Sequence, residues 1–340
     1  MIALAPRYDF TLTPELEAHE PPEARGLARD EVRMLVSAAA GSEPRDARFY
    51  ELPRILERGD VLVVNTSATV PAALEAQAAS GETIALHVST TLPGGLNVVE
   101  PRHTHVREGE CLSLAEGAHA KLLMPYRSSS RLWIASLSLP RPLNEFLHRH
   151  GKPIRYPYVK AEWPIEAYQT VFALHPGSAE MPSAARPFSE RVLAELVARG
   201  VIIARLMLHC GVASLEHDEP PYDEYFSVPP ETAATVNSAR AGGRRVLAVG
   251  TTAARALESA VDERGRVVAS RGWTDHMISP GTPARAFNAL LTGLHEPRST
   301  HLALLQGLTD GREIERAYQA ALARGYLWHE FGDVHLILAA

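Results

Sequence analysis

The chain has 340 residues, 46% of them hydrophobic and 22% charged, with a formal net charge of −6. Length and apolar content suffice for a sizeable core and suggest two domains. No apolar run reaches the roughly 18–20 residues that span a bilayer, and the acidic balance argues against a large phosphate-binding footprint without excluding a local one. Met1 to Phe10 lacks a charged segment followed by an apolar one, so no signal peptide is expected. Cys111 and Cys210 are the only cysteines. Two distant thiols make neither a disulfide framework nor a zinc cluster, which fits a reducing cytoplasm. A monomer without a membrane partner is expected.

In chain order, the turn Gly59-Asp60 leads into an apolar strand over 61–65. From about 73 to 149 the pattern changes to short alternating runs at 83–88, 96–100, 111–114, 120–124 and 132–137. Turn formers such as Ser80-Gly81, Pro93-Gly94-Gly95 and Glu116-Gly117 separate them. Many short strands at this spacing predict a small antiparallel barrel. Ser189 then caps a helix over 190–199, with Leu193, Leu196 and Val197 on its apolar face and Gly200 as its stop. A buried strand over 201–208 follows. Pro229-Pro230-Glu231 open a second helix that fades at Gly242-Gly243; the strand 246–249 and a helix to about 260 come next. Further helices are predicted near 283–291, 300–307 and 312–324, before a last strand at 334–338. Strands alternating with helices imply an α/β fold, a mostly parallel sheet flanked by helices. The expected domains are an α/β catalytic domain of residues 1–72 and 150–340 and an inserted β-barrel of 73–149.

Four segments could carry chemistry. Val246 to Ser259 reads as strand, glycine turn, hydroxyl cap and helix. Free N–H groups at such a helix start take a carboxylate or phosphate. Arg255 and Glu258 lie one turn in, on one face. The plainer reading is a capped strand–helix unit with a surface Arg–Glu pair. His209 falls where a parallel strand ends, the edge at which α/β folds bind ligands, and could act as a general base or simply pack there. His295 precedes a helix that Ser299 or Thr300 can cap, again catalytic or incidental. Tyr168-Gln169-Thr170-Val171 and the loop from Gly177 to Ala184 could wrap a small ligand or only connect elements. His103-x-His105 and His148-x-His150 have ligand spacing without matching Cys, Asp or Glu nearby, so no metal is expected.

A longer set of motifs runs in one order. It comprises Tyr8-Asp9-Phe10-x-Leu12, Leu52-Pro53, Gly59 to Thr66, Val70-Pro71-Ala72, Tyr168-Gln169-Thr170-Val171 and Gly177-Ser178 through Pro182. Leu208-His209-Cys210-Gly211, Glu224-Tyr225-Phe226, Ala248 to Ser259, His295-x-Pro297-x-Ser299-Thr300, and Tyr326 before Phe331-Gly332-Asp333 complete it. Together they resemble the S-adenosylmethionine:tRNA ribosyltransferase-isomerase family of queuosine biosynthesis over nearly the full chain, and Ala248 to Ser259 is the most specific stretch.

The resemblance implies a reaction. The ribosyl moiety of S-adenosylmethionine moves to the aminomethyl group of a 7-deazaguanine base at the tRNA wobble position. It is isomerised to the epoxy-cyclopentanediol of epoxyqueuosine, with adenine and methionine released. The sulfonium acidifies the C5′ hydrogens, so a base can form an ylide-like carbanion without a metal; elimination then opens the ribose and expels adenine. The resemblance marks His209, His295, Glu224 and Glu258 as acid–base candidates. It marks Tyr168, Gln169, Thr170, Gly250, Thr251, Thr252, Arg255, Ser299 and Thr300 as binding the co-substrate S-adenosylmethionine. With tRNA as partner, Tyr156, Tyr158 and Tyr168 are candidates to stack a splayed anticodon base. Departures from the family pattern are Arg25-Gly26 for Arg-Asp, Ala68 and Ala73 for arginines, and a Pro182–Phe188 loop without its histidine. They leave open a same-fold enzyme with a small-molecule acceptor, or a non-catalytic protein that binds S-adenosylmethionine or RNA.

Overall fold

The computed structural model describes residues 8–38, 41–102, 104–212 and 222–339. At its centre lies a nine-stranded sheet. Its order is Ser270–Thr274, Glu224–Val228, Ile202–Leu208, Val61–Asn65, Val246–Val249, Ala289–Gly293, Val334–Leu338, Arg33–Ser37 and Arg45–Arg48. Every residue of Val61–Asn65 and of Val246–Val249 is buried. Strands covered on both faces read as continuous apolar runs, which is why neither alternates in sequence. Val61 and Val63 face a core built with the helices Pro230–Ala241, Gly250–Ser259, Thr300–Gln306 and Gly311–Ala323. Leu62 and Val64 face a second core that includes Leu196 of the helix Glu190–Ala198. Ser189 caps that helix, its Oγ accepting from Val192 N–H at 3.2 Å.

The parallel run is the four central strands from Ile202–Leu208 to Ala289–Gly293. Antiparallel pairings flank it on both sides. Two helices, Thr300–Gln306 and Gly311–Ala323, lie between Ala289–Gly293 and Val334–Leu338, which pair antiparallel. The helix expected near 283–291 is not formed, and Ala289–Gly293 is a strand instead. Asn288 explains the difference, because its side-chain Oδ1 accepts from Val246 N–H at 2.8 Å while its own N–H donates to Val246 C=O at 3.2 Å. Those bonds commit the backbone to the neighbouring strand.

Six strands form a closed antiparallel barrel: Ala73–Gln77, Thr83–Thr91, Asn97–Pro101, Cys111–Ser113, His119–Pro125 and Trp133–Ser138. Leu74, Ala76, Leu86, Leu112, Ala120 and Leu122 fill it, on the alternating positions a half-buried strand dictates. Its ends meet, since Ala73 and Lys152 exchange backbone hydrogen bonds of 2.9 and 2.8 Å. Gly151 is required at this joint, where a β-carbon would lie 1.9 Å from Pro71 O. The helix Leu143–His150 follows the barrel. It holds His148 against Asn144 O at 2.7 Å and His150 near Glu116 at 3.0 Å. His103 lies outside the described residues. Among those described, no helix is long and apolar enough to cross a membrane.

Candidate active site

The central parallel strands end together, and short polar side chains tie those ends to the segments beyond. Asn65, the last residue of its strand, uses all of its amide. Its Oδ1 accepts from Leu208 N–H and Ser67 N–H, both at 3.0 Å. Its Nδ2 donates to Leu208 O at 2.8 Å and to Thr252 Oγ1 at 3.3 Å. Ser67 then bridges Ser178 Oγ at 2.6 Å and His209 Nδ1 at 2.7 Å, and Ser178 Oγ accepts from Cys210 N–H at 2.8 Å. Gln169 grips the backbone of Thr69 at 3.1 and 2.7 Å. The result is a fixed floor at the carboxyl edge of the sheet, where α/β folds place ligands.

Over this floor, between sheet and barrel, lies a cavity of about 350 Å³. That is the size of a small-ligand site. The barrel contributes Ser89, Thr90, Val98, Tyr126 and Leu132. From the sheet side come Gly250, Thr251 and Thr252. Gly250, with φ +86°, turns the strand directly into the helix Gly250–Ser259, and no side chain caps that helix start. Its first amides are therefore an anion site opening on the cavity. Arg255 also lines the wall, but its guanidinium is engaged. It pairs with Glu224 and donates to the carbonyls of His276 at 3.1 Å, Thr274 at 3.2 Å and Tyr222 at 3.4 Å. Glu224 in turn accepts from Gly211 N–H at 2.9 Å.

The electrostatics favour a cation. Among the described residues the wall carries Glu180, Asp223, Glu224 and Glu296, besides Glu330 with its pKa raised by burial, against the single guanidinium of Arg255. The lining histidines do not offset this. Burial holds His295 well below its ordinary pKa, with His301 and His335 adding to the effect, and puts His301 at about 4 with help from Arg255. Burial likewise lowers His276 and His329. His295 is fixed by Thr292 Oγ1 at 2.7 Å and lies face to face with His301, ring centroids 4.7 Å apart. On another wall Tyr156, Tyr158 and His329 stack successively, at 5.8 and 3.7 Å between centroids. The Tyr156 hydroxyl donates to Glu180 and the Tyr158 hydroxyl to Glu330. Aromatic faces and carboxylates together suit a positively charged group.

Of the residues singled out from sequence, Tyr168, Gly250, Thr251, Thr252, Arg255, Glu224, His295, Ser299 and Thr300 line this one cavity. His209, Gln169, Thr170 and Glu258 are not among its lining residues. His209 sits in the floor on Ser67. Thr170 Oγ1 accepts from Phe172 N–H, and Glu258, its carboxyl raised by burial, accepts from Arg285 N–H and Ala286 N–H at 2.7 Å. Glu180 lies in the loop from Gly177 to Ala184 already marked as a possible ligand wrap, whereas sequence reasoning passed over His276, His301, His329 and Glu330. The last two sit between Tyr326 and Phe331-Gly332-Asp333, residues already noted, and that adjacency was the available signal.

Residues 5–337 match the family described as queuosine biosynthesis protein. The chain is 37% identical over 346 residues to the S-adenosylmethionine:tRNA ribosyltransferase-isomerase of Moorella thermoacetica, covering 97% of this chain and 98% of that one. It is 35% identical over 346 residues to the enzyme of the same name from Thermus thermophilus, with the same coverage. Among solved structures it is similar to the S-adenosylmethionine tRNA ribosyltransferase of Thermotoga maritima, at 28% identity and a TM-score of 0.56 over 97% of this chain and 99% of that one. With residues 5–337 matched and near-full-length relatives above 30% identity, the chain belongs to the queuosine biosynthesis protein family.

Proposed function

We propose that this cavity binds S-adenosylmethionine and that the chain is a transferase-isomerase of tRNA modification. It moves the ribosyl moiety onto the aminomethyl group of a 7-deazaguanine base in tRNA, giving epoxyqueuosine with release of adenine and methionine. The observation that carries this reading is one cavity joining an uncapped helix start to a wall of carboxylates and tyrosines. The first suits the methionyl carboxylate, the second the sulfonium and the ammonium groups of donor and acceptor. The acceptor base would enter between barrel and sheet, with residues 73–149 acting as one domain and 1–72 with 150–340 as the other. Cytoplasm is the setting this substrate implies.

The test is adenine release, followed by chromatography, with S-adenosylmethionine and precursor tRNA supplied together or singly. Release is expected only when both are present, and it should survive EDTA, because the sulfonium supplies the activation. Release driven by a small amine in place of tRNA would reassign the acceptor. Binding of S-adenosylmethionine without any release would make the chain a binding protein.

A further inference from the structure

In the cavity wall, the surroundings of Glu330 disfavour its charge. It lies in the turn before the last strand and lines the cavity. Among the described residues no cationic side chain comes within 4.0 Å of it, and the Tyr158 hydroxyl donates to its Oε2 at 2.6 Å. A buried carboxyl without a cation is more stable protonated. Burial accordingly raises its pKa, opposed by the Tyr158 hydrogen bond, by its own backbone N–H and by the more distant charge of Arg186. Arg186 is itself held by Glu23 at 2.9 Å. Tyr158 cannot swing away, because it is sandwiched between Tyr156 and the His329 ring. The geometry is that of a carboxylic acid in the cavity wall, one oxygen fixed by a phenol.

We propose that Glu330 is the proton donor to the departing adenine, with Tyr158 as its positioning residue. This rests on the function proposed above. In the step, the bond between C1′ and the base nitrogen breaks and its electron pair passes into the adenine ring. The Glu330 proton attaches to a ring nitrogen. The carboxylate that remains is reprotonated by the group that took the C5′ hydrogen, or by water. The titratable and charged groups around Glu330 are Tyr156, Tyr158, Tyr168, His329, Glu180 and Arg186.

Glu330→Gln is compared with wild type in adenine release and in S-adenosylmethionine binding by calorimetry. The variant should bind within a few-fold of wild type while kcat falls about 10²–10⁴-fold. An S-adenosylmethionine analogue carrying 8-azaadenine, a better leaving group, should recover most of that loss, which a merely structural defect would not allow. Wild-type kcat should fall as alkali ionises the carboxyl, and the Gln variant should lack that limb. If Glu330→Gln fails to fold, Tyr158→Phe decides. Removing a hydrogen bond to the carboxylate should move the alkaline limb to higher pH. Wild-type kcat in the Gln variant, equal losses with both bases, or an unmoved limb in Tyr158→Phe would overturn the assignment. A wild-type protein that binds no S-adenosylmethionine would instead overturn the underlying function.

Discussion

Arg255 illustrates how a lining residue can serve a site through protein contacts. Its guanidinium joins the Glu224 carboxylate to three carbonyls from the segments 222–224 and 274–276, and Glu224 passes the restraint to Gly211. Both side chains of the pair are only 13% exposed. Removing one partner of a buried pair leaves an uncompensated charge, a cost of about 3–5 kcal/mol. Arg255→Ala should therefore lower the unfolding midpoint in urea and weaken S-adenosylmethionine binding together. Adding Glu224→Gln to it should restore part of the stability, because the stranded charge is gone. A double variant no more stable than Arg255→Ala alone would show that the carbonyl contacts dominate.

At the scale of elements, the turn from Leu327 to Asp333 presents His329 and Glu330 to the cavity. Three restraints build it. His329 adopts a φ of +73°, Asp333 accepts from Leu327 N–H at 2.8 Å and Arg33 N–H at 2.7 Å, and the Trp328 indole donates to His295 O at 3.0 Å. Gly332 closes the turn so tightly that a β-carbon would lie 2.3 Å from Leu327 O and 2.4 Å from Trp328 O. Those are backbone atoms, which cannot swing aside as a side chain could. Gly332→Ala should cost about 1–3 kcal/mol in urea unfolding, in the range of overpacking, and should also reduce S-adenosylmethionine affinity by displacing the cavity wall. Unchanged unfolding would mean that the turn adapts.

The same scale shows what sequence could reveal. Strand–helix units such as Ser189 to Leu208 and Pro230 to Ser259 announced themselves through caps and apolar runs, which are local signals. The barrel runs were legible from alternation. Strand direction was not, because it depends on which distant strand each one pairs with, and Asn288 gave no sign that its amide would bind a strand 42 residues away. For the cavity, helix-start residues such as Gly250 and Thr300 stood out because a glycine or hydroxyl before an apolar run reads as a helix start, although the expected side-chain caps do not form at either helix. His301 and His276 did not. Their place follows from packing between distant segments, and no spacing rule encodes that.

For the molecule as a whole, the barrel holds a concentrated ionic centre. Glu100 is almost fully buried and meets His87 at 3.1 Å, Arg102 at 3.0 Å and Arg131 at 2.9 Å. Burial alone would push its carboxyl up, but these partners outweigh it and hold the pKa at about 2, against an ordinary 4.5. A depressed carboxyl stabilises the fold above its unfolded pKa, by about 3 kcal/mol here, and that contribution is lost as pH falls from 4.5 toward 2. Glu100→Gln should thus be less stable than wild type at neutral pH, with the gap closing near pH 2. A gap independent of pH would show that packing, not charge, accounts for the loss.

The sheet pairs Arg33–Ser37 with Val334–Leu338, so its first and last strands are some 300 residues apart. Barrel strands find their partners within 73–138. During synthesis on the ribosome, a nascent chain can close its barrel while Arg33–Ser37 has only Arg45–Arg48 beside it and still lacks Val334–Leu338. The wall that carries His329 and Glu330 arrives later still, immediately before the final strand. Long-range pairing of this kind is slow, because loop closure must precede any reward from contacts. His329 and Glu330 directly precede Val334–Leu338, so the cavity wall is complete only once residues 329–338 have been made.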